Sequence, residues 1–128
     1  MKTPQEWLKQ GLYDMDTAEY NYQGGRYYFA VFLCHLALEK AFKGLYEKTM
    51  NRIPPRTHNL VYLIEEMSLT LPHDIYDQAI ILNDLSVFTR YPDSIELIKK
   101  NFDEPFTCDI IRKGKVVLEW IEKKLTIP

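Results

Sequence analysis

The sequence predicts an all-α protein, an up-and-down bundle of four main helices plus one short helix. Three observations lead there. Each proline falls where a helix begins or ends or where a loop is needed. Apolar residues recur at three- and four-residue spacing through the long segments. No segment alternates apolar and polar residues between turn signals, as a half-buried strand would.

Thr3-Pro4-Gln5-Glu6 opens the first helix: a Thr N-cap, Pro at the first helical position and Glu closing a capping box. Leu8, Leu12, Met15 and Tyr22, with Gly11 and Ala18 between them, fall roughly along one face. Gly24-Gly25 ends the helix near Gln23 and lets the chain reverse. A second helix runs from about Arg26 to Met50. Its first half, Tyr27 to Cys34, is apolar nearly all round, so it belongs at the centre of the bundle or between two subunits. Its second half turns Ala37, Ala41, Phe42 and Leu45 inward and leaves Lys40, Lys43, Glu47 and Lys48 for solvent.

Pro54-Pro55 forces a loop, because consecutive prolines forbid helix and push the residues before them into extended backbone. Thr57 is the expected cap of a short third helix carrying Leu60, Leu63, Ile64 and Met67, which Leu71-Pro72 breaks. A fourth helix from about His73 to Thr89 buries Ile75, Ala79, Leu82, Leu85 and Phe88, and Tyr91-Pro92 stops it. Asp93 to Glu104 reads as loop, although Ile95, Leu97 and Ile98 allow a brief turn. The last helix runs from about Pro105 to Leu125 over the stripe Ile110, Ile111, Gly114, Val117, Leu118, Ile121 and Leu125. With 128 residues and no linker or repeat, the whole of 1–128 reads as a single domain.

Bulk properties narrow the function. Apolar residues make up 46% and charged ones 27%, and 16 Lys+Arg against 18 Asp+Glu give a net charge of −2. Such a balance argues against nucleic-acid binding as the main task, since gripping a phosphate backbone takes clustered cations. The tyrosines and phenylalanines also lack the interleaved basic residues of a stacking groove. The uncharged run from Tyr27 to Leu38 falls short of the roughly 20 residues a membrane span requires, and no signal core opens the chain, so a soluble cytoplasmic protein without a membrane partner is expected. Cys34 lies among apolar residues and reads as a buried thiol. His35, His58 and His73 are too scattered for a metal site, and no glycine-rich phosphate loop exists, so neither metal nor cofactor is expected.

Four places carry usable chemistry. Arg90, in the last turn of the fourth helix, complements the helix dipole. It is either a helix-ending ion-pair residue beside a core-packed Tyr91, or a phosphate ligand positioned by Asp93. His58, in the first turn of the third helix, either hydrogen-bonds the Pro54-Pro55 loop or serves as a base. Lys40 and Lys43 are either a solvated face or two ammonium groups presented to one anion. Arg52 and His58 stand with five residues between them.

Leu38-Glu39-Lys40-Ala41-Phe42-Lys43, His58-Asn59-Leu60, Arg90-Tyr91-Pro92 and Val117-Leu118-Glu119-Trp120-Ile121, in this order after the Trp7 helix opening, resemble the HEPN family of small microbial helical bundles. The resemblance implies a bundle of four or five helices and a homodimer. It further implies a minimal nucleotidyltransferase as partner, in a toxin–antitoxin-like pair, and nucleotide binding at His58, Arg90, Tyr91 and Asp93, with Lys40 and Lys43 behind them. Nuclease branches of the family use an Arg, four to six residues, then a His, late in the bundle; the histidine moves the 2′-hydroxyl proton and the arginine steadies charge on phosphorus. No histidine follows Arg90 in this chain, and the Arg52–His58 pair lies in the wrong loop. The expectation is therefore a non-nuclease member whose Arg90 has no imidazole to cooperate with and which has no catalytic residue. A metal-independent ribonuclease toxin and a ligand-free structural adaptor are the alternatives.

Overall fold

The computed structural model describes residues 2–127; Met1 and Pro128, the end positions of the expected 1–128 domain, lie outside the described residues. Among the described residues six helices follow one another: α1 (Pro4–Gln23), α2 (Tyr27–Met50), α3 (Leu60–Glu66), α4 (His73–Arg90), α5 (Ile95–Asn101) and α6 (Glu104–Thr126). The all-α bundle of four long helices is as the sequence predicts. The sequence predicts one short helix, and two are present.

Local chemistry sets most of the ends. Thr3 Oγ1 accepts the Glu6 N–H at 3.0 Å, the N-cap bond that opens α1. Gly25 takes φ +77°, and the Arg26 N–H reaches back to the Asn21 carbonyl at 2.8 Å, so the chain reverses in three residues. Asn59 rather than Thr57 caps α3: its Oδ1 accepts the Tyr62 N–H at 3.1 Å, while Thr57 Oγ1 accepts the Asn59 N–H. The expected loop after Asp93 is half helix. Ser94 Oγ accepts the Leu97 N–H at 3.1 Å, and Lys99 and Lys100 close the last turn, enough to hold seven residues helical. Asp103 then caps α6 through the Phe106 N–H at 2.9 Å.

α2 runs through the middle and packs against α1, α3, α4 and α6. Ala30, Val31, Cys34, Ala37, Leu38, Ala41 and Phe42 are fully buried along it. A side chain of Leu or Phe size buried in this way contributes roughly 2–3 kcal/mol. Close approach depends on small residues: a Cβ at Gly11 would stand 2.9 Å from the Ala37 carbonyl, and one at Gly114 of α6 would overlap Cys34 Sγ. The α6 stripe from Ile110 to Leu125 is buried as its spacing predicts.

The buried face of α4 is more polar than its sequence suggests. Ser86 and Thr89 are buried, whereas Leu85 and Phe88 are half-buried. The hydroxyls satisfy themselves on their own helix, Ser86 through the Asn83 carbonyl and Thr89 through those of Leu85 and Ser86. Likewise the all-apolar start of α2 is central without being covered all round, for Phe29 remains 43% exposed.

Candidate functional site: a polar ladder on the central helix

His35, Glu39, Lys43 and Glu47 recur every fourth residue on α2 and so share one face. All four are buried. The solvent-facing role expected for Lys43 and Glu47 is therefore wrong: α1, the loop before α3 and α4 bring fixed partners to this side of the helix. Trp7 of α1 donates its indole N–H to Glu47 at 2.9 Å, and Lys43 Nζ lies 5.9 Å from the centre of the Trp7 ring. Lys43 bonds Glu39 Oε2 at 3.1 Å.

Glu39 is the centre of the arrangement. Its other oxygen, Oε1, accepts from His58 Nδ1 at 2.8 Å and faces Arg90 Nη2 at 3.5 Å. The second distance is long for a hydrogen bond and describes an ion-pair contact. Residues from two helices and one loop thus meet on a single carboxylate. The expectation that Arg90 stands without an imidazole is overturned, because folding brings His58 from the α3 approach to the oxygen that Arg90 also faces. No motif count shows this, since the partners are 19 and 51 residues from Glu39 in sequence.

The loop is held as tightly as the ladder. Asn83 of α4 accepts the Leu60 N–H at 2.7 Å and donates to Asn59 Oδ1 at 3.2 Å. His35 Nε2 donates to the His58 carbonyl at 3.0 Å, leaving its own Nδ1 buried and unpartnered. Burial drives the His35 pKa down to about 4, against the opposing pull of Glu39, and the ring stays neutral at ordinary pH. Since Glu39 can only accept, His58 carries its proton on Nδ1. Its side chain is 59% exposed.

Arg90 is anchored but not saturated. Its guanidinium lies over the Phe32 ring at 5.0 Å, and its Nε is buried without a hydrogen-bond partner. A hollow of about 270 Å³ opens beside it, lined by Tyr28, Phe29, Phe32, Thr89, Arg90 and Tyr91. Glu39 thus pairs with both Lys43 and Arg90, one through each carboxylate oxygen.

The remaining predicted residues do not join it. Lys40 turns towards α1 and pairs with Asp14 at 2.8 Å, so Lys40 and Lys43 do not present two ammonium groups to one anion. Tyr91 is 77% exposed rather than folded onto the core, although it lines the hollow beside Arg90. Asp93 is exposed, and among the described residues Glu39, not Asp93, is the carboxylate paired with Arg90. Arg52 bonds the Tyr46 hydroxyl at 2.9 Å and approaches Glu66, taking no part with His58. Glu39 and His35 escape a reading of the sequence. The signal that reveals them is the four-residue repeat of polar side chains on a helix otherwise too apolar to face water.

Among the described residues no group of three His, Cys, Asp or Glu side chains is placed to hold a metal ion, and no helix is long and apolar enough to cross a membrane.

Comparison with known proteins adds the family. No match is found among curated proteins. Two solved structures superpose over 98% of this chain and 100% of their own: an archaeal HEPN homologue at 27% identity with a TM-score of 0.78, and a protein from Thermus thermophilus at 23% identity with a TM-score of 0.84, the latter a likeness of fold. The HEPN domain model matches residues 4–124, nearly all of the bundle just described. The chain belongs to the HEPN domain family.

Proposed function

We propose that this HEPN domain is a nucleotide-binding module that takes a phosphate at Arg90 and pairs with a minimal nucleotidyltransferase. One observation carries the reading: Arg90 is held by Glu39 and Phe32, has an Nε without a hydrogen-bond partner, and lines an aromatic hollow. An arginine held in place loses little entropy on binding and presents a planar fork to phosphate oxygens. Phe29 and Tyr91, exposed beside it, offer rings against which a base can stack. Isothermal titration with ATP, GTP and the corresponding monophosphates tests the site. Saturable binding that Arg90→Ala abolishes supports it; no heat with any ribonucleotide ends it.

The same reading makes the domain a homodimer, 1–128 in each copy. Ile81 and Val87 are large apolar side chains left exposed along α4, outside the hollow beside Arg90. Light scattering on the wild type and on Val87→Glu decides this: a dimer that the variant converts to monomer is expected, and a wild-type monomer defeats the dimer. Co-purification with a nucleotidyltransferase encoded beside the gene tests the partner.

Metal-independent RNA cleavage is the second reading, and a specific observation favours it. A carboxylate–imidazole pair, Glu39–His58, stands against an arginine, the groups needed to move a hydroxyl proton and steady charge on phosphorus. RNA incubated in excess EDTA with wild type and with His58→Ala separates the two readings. Cleavage lost in the variant makes the protein a nuclease; an intact substrate with wild type leaves it a binding module.

A further inference from the structure

A second hollow, adjoining the one beside Arg90 at Tyr28 and Phe29, lies between the α1–α2 turn and α5. It encloses about 570 Å³, within the range of small-molecule sites. Its wall is apolar. Tyr28 packs edge-on against Phe102 with centroids 6.1 Å apart, and Phe102 is only 4% exposed. Phe29 and Ile98 complete that wall, while Arg26 and Lys99 stand at it as cations. Neither Arg26 nor Lys99 makes an ion pair among the described residues, although the chain has carboxylates to spare.

α5 supplies the other half of the argument. It buries none of its residues, and Ile95 remains 63% exposed, so this short helix leaves apolar surface uncovered where it borders the hollow. A hydrophobic body placed there would remove that surface from water together with its own. Two unpaired cations beside an apolar wall then select which bodies gain most: those with an anionic group at one end.

We propose that this hollow is a binding site for small amphipathic anions, an aromatic or short aliphatic body carrying one carboxylate or sulfonate. The body sits against Tyr28, Phe29, Phe102 and Ile98, and the anionic group lies between Arg26 and Lys99. Its cations are Arg26 and Lys99, whereas that of the nucleotide site is Arg90, and the two hollows share Tyr28 and Phe29.

Titration of the full chain with 1-naphthoate, followed by NMR of the Tyr28, Phe29 and Phe102 ring resonances, tests the assignment. Saturable one-to-one shifts at these rings are expected. The neutral analogue 1-naphthalenemethanol should bind about five- to tenfold more weakly, and Lys99→Glu and Arg26→Glu should each weaken naphthoate about two- to fivefold, the scale of an exposed charge contact. Ile98→Trp, which fills the hollow, should abolish the shifts, with circular dichroism checking that it folds. Phe102 lines this hollow and not the one beside Arg90, so its shift, read beside the nucleotide titration, separates failure here from failure of nucleotide binding. The proposal is overturned by the absence of saturation, by equal affinity for the neutral analogue, by indifference to both charge reversals, or by ring shifts that track protein concentration alone, which would make a second copy the occupant.

Discussion

His58 and Glu39 are joined by a 2.8 Å hydrogen bond between Nδ1 and Oε1, although one sits in a loop and the other on the buried face of the central helix. The bond fixes the histidine tautomer and ties the loop to the one carboxylate that also offsets Lys43 and Arg90. Removing that carboxylate's charge leaves both cations without this partner in a part-buried site. Glu39→Gln keeps the shape and loses the charge, and urea denaturation should show a loss of about 3 kcal/mol. Asp93→Asn, at an exposed position, should change stability by less than about 0.5 kcal/mol. Equal effects of the two substitutions would refute the central role of Glu39.

Acid should destabilise the fold through His35. Its folded pKa is lowered to about 4 from an ordinary 6.5, so the unfolded chain binds the extra proton first as pH falls. The contribution of the neutral ring is complete above about pH 6.5, shrinks between there and pH 4, and levels off below. A change up to about 3 kcal/mol is expected across that window. In His35→Leu the slope attributable to this residue disappears, at the cost of the bond to the His58 carbonyl, roughly 1 kcal/mol. Urea midpoints at about pH 7 and about pH 4.5 for both proteins provide the check.

The α2–α6 contact should punish the smallest possible enlargement. A methyl group at Gly114 overlaps Cys34 Sγ and crowds Met15 Cε, so Gly114→Ala should cost about 1–3 kcal/mol. Truncating the opposing thiol opens the space it needs. Gly114→Ala with Cys34→Ala should therefore be less destabilising than the two single losses added together, and a strictly additive thermal denaturation series would contradict this packing.

Native thiol chemistry should report one cysteine of the two. Cys34 is fully buried, and burial pushes its thiol up to about 12, whereas Cys108 is exposed. Iodoacetamide at about pH 8 should label one site in the folded protein and both in guanidinium, by intact mass. Cys108→Ser should leave the folded protein unlabelled.

Where the chain's own neighbours decide the structure, the sequence is readable. Thr3, Gly24-Gly25, Pro54-Pro55, Pro72 and Pro92 mark helix ends because capping, left-handed turns and the missing proline N–H act within a few residues. α5 reads as loop because seven residues with one Ser cap carry too little periodicity to signal a helix. The site is half readable. His58 and Arg90 stand out as chemistry, but their meeting depends on Glu39, and a glutamate beside a lysine reads as solvent-facing until tertiary packing covers it. Lys40 and Lys43, three apart in sequence, go to different carboxylates because Lys40 turns to α1 while Lys43 stays on the row it shares with Glu39.

The buried row on α2 alternates base, acid, base, acid, and that order indexes the helix against its neighbours. Sliding α2 by one turn, about 5.4 Å, would bring Lys43 either to the place where Glu39 meets Arg90 and His58 or to the place where Glu47 receives the Trp7 N–H. In both directions an ammonium group would confront a donor instead of an acceptor. An all-apolar rod could settle at several depths among its companions; this one has a single seat, and the groove that seats it is the one that holds the arginine.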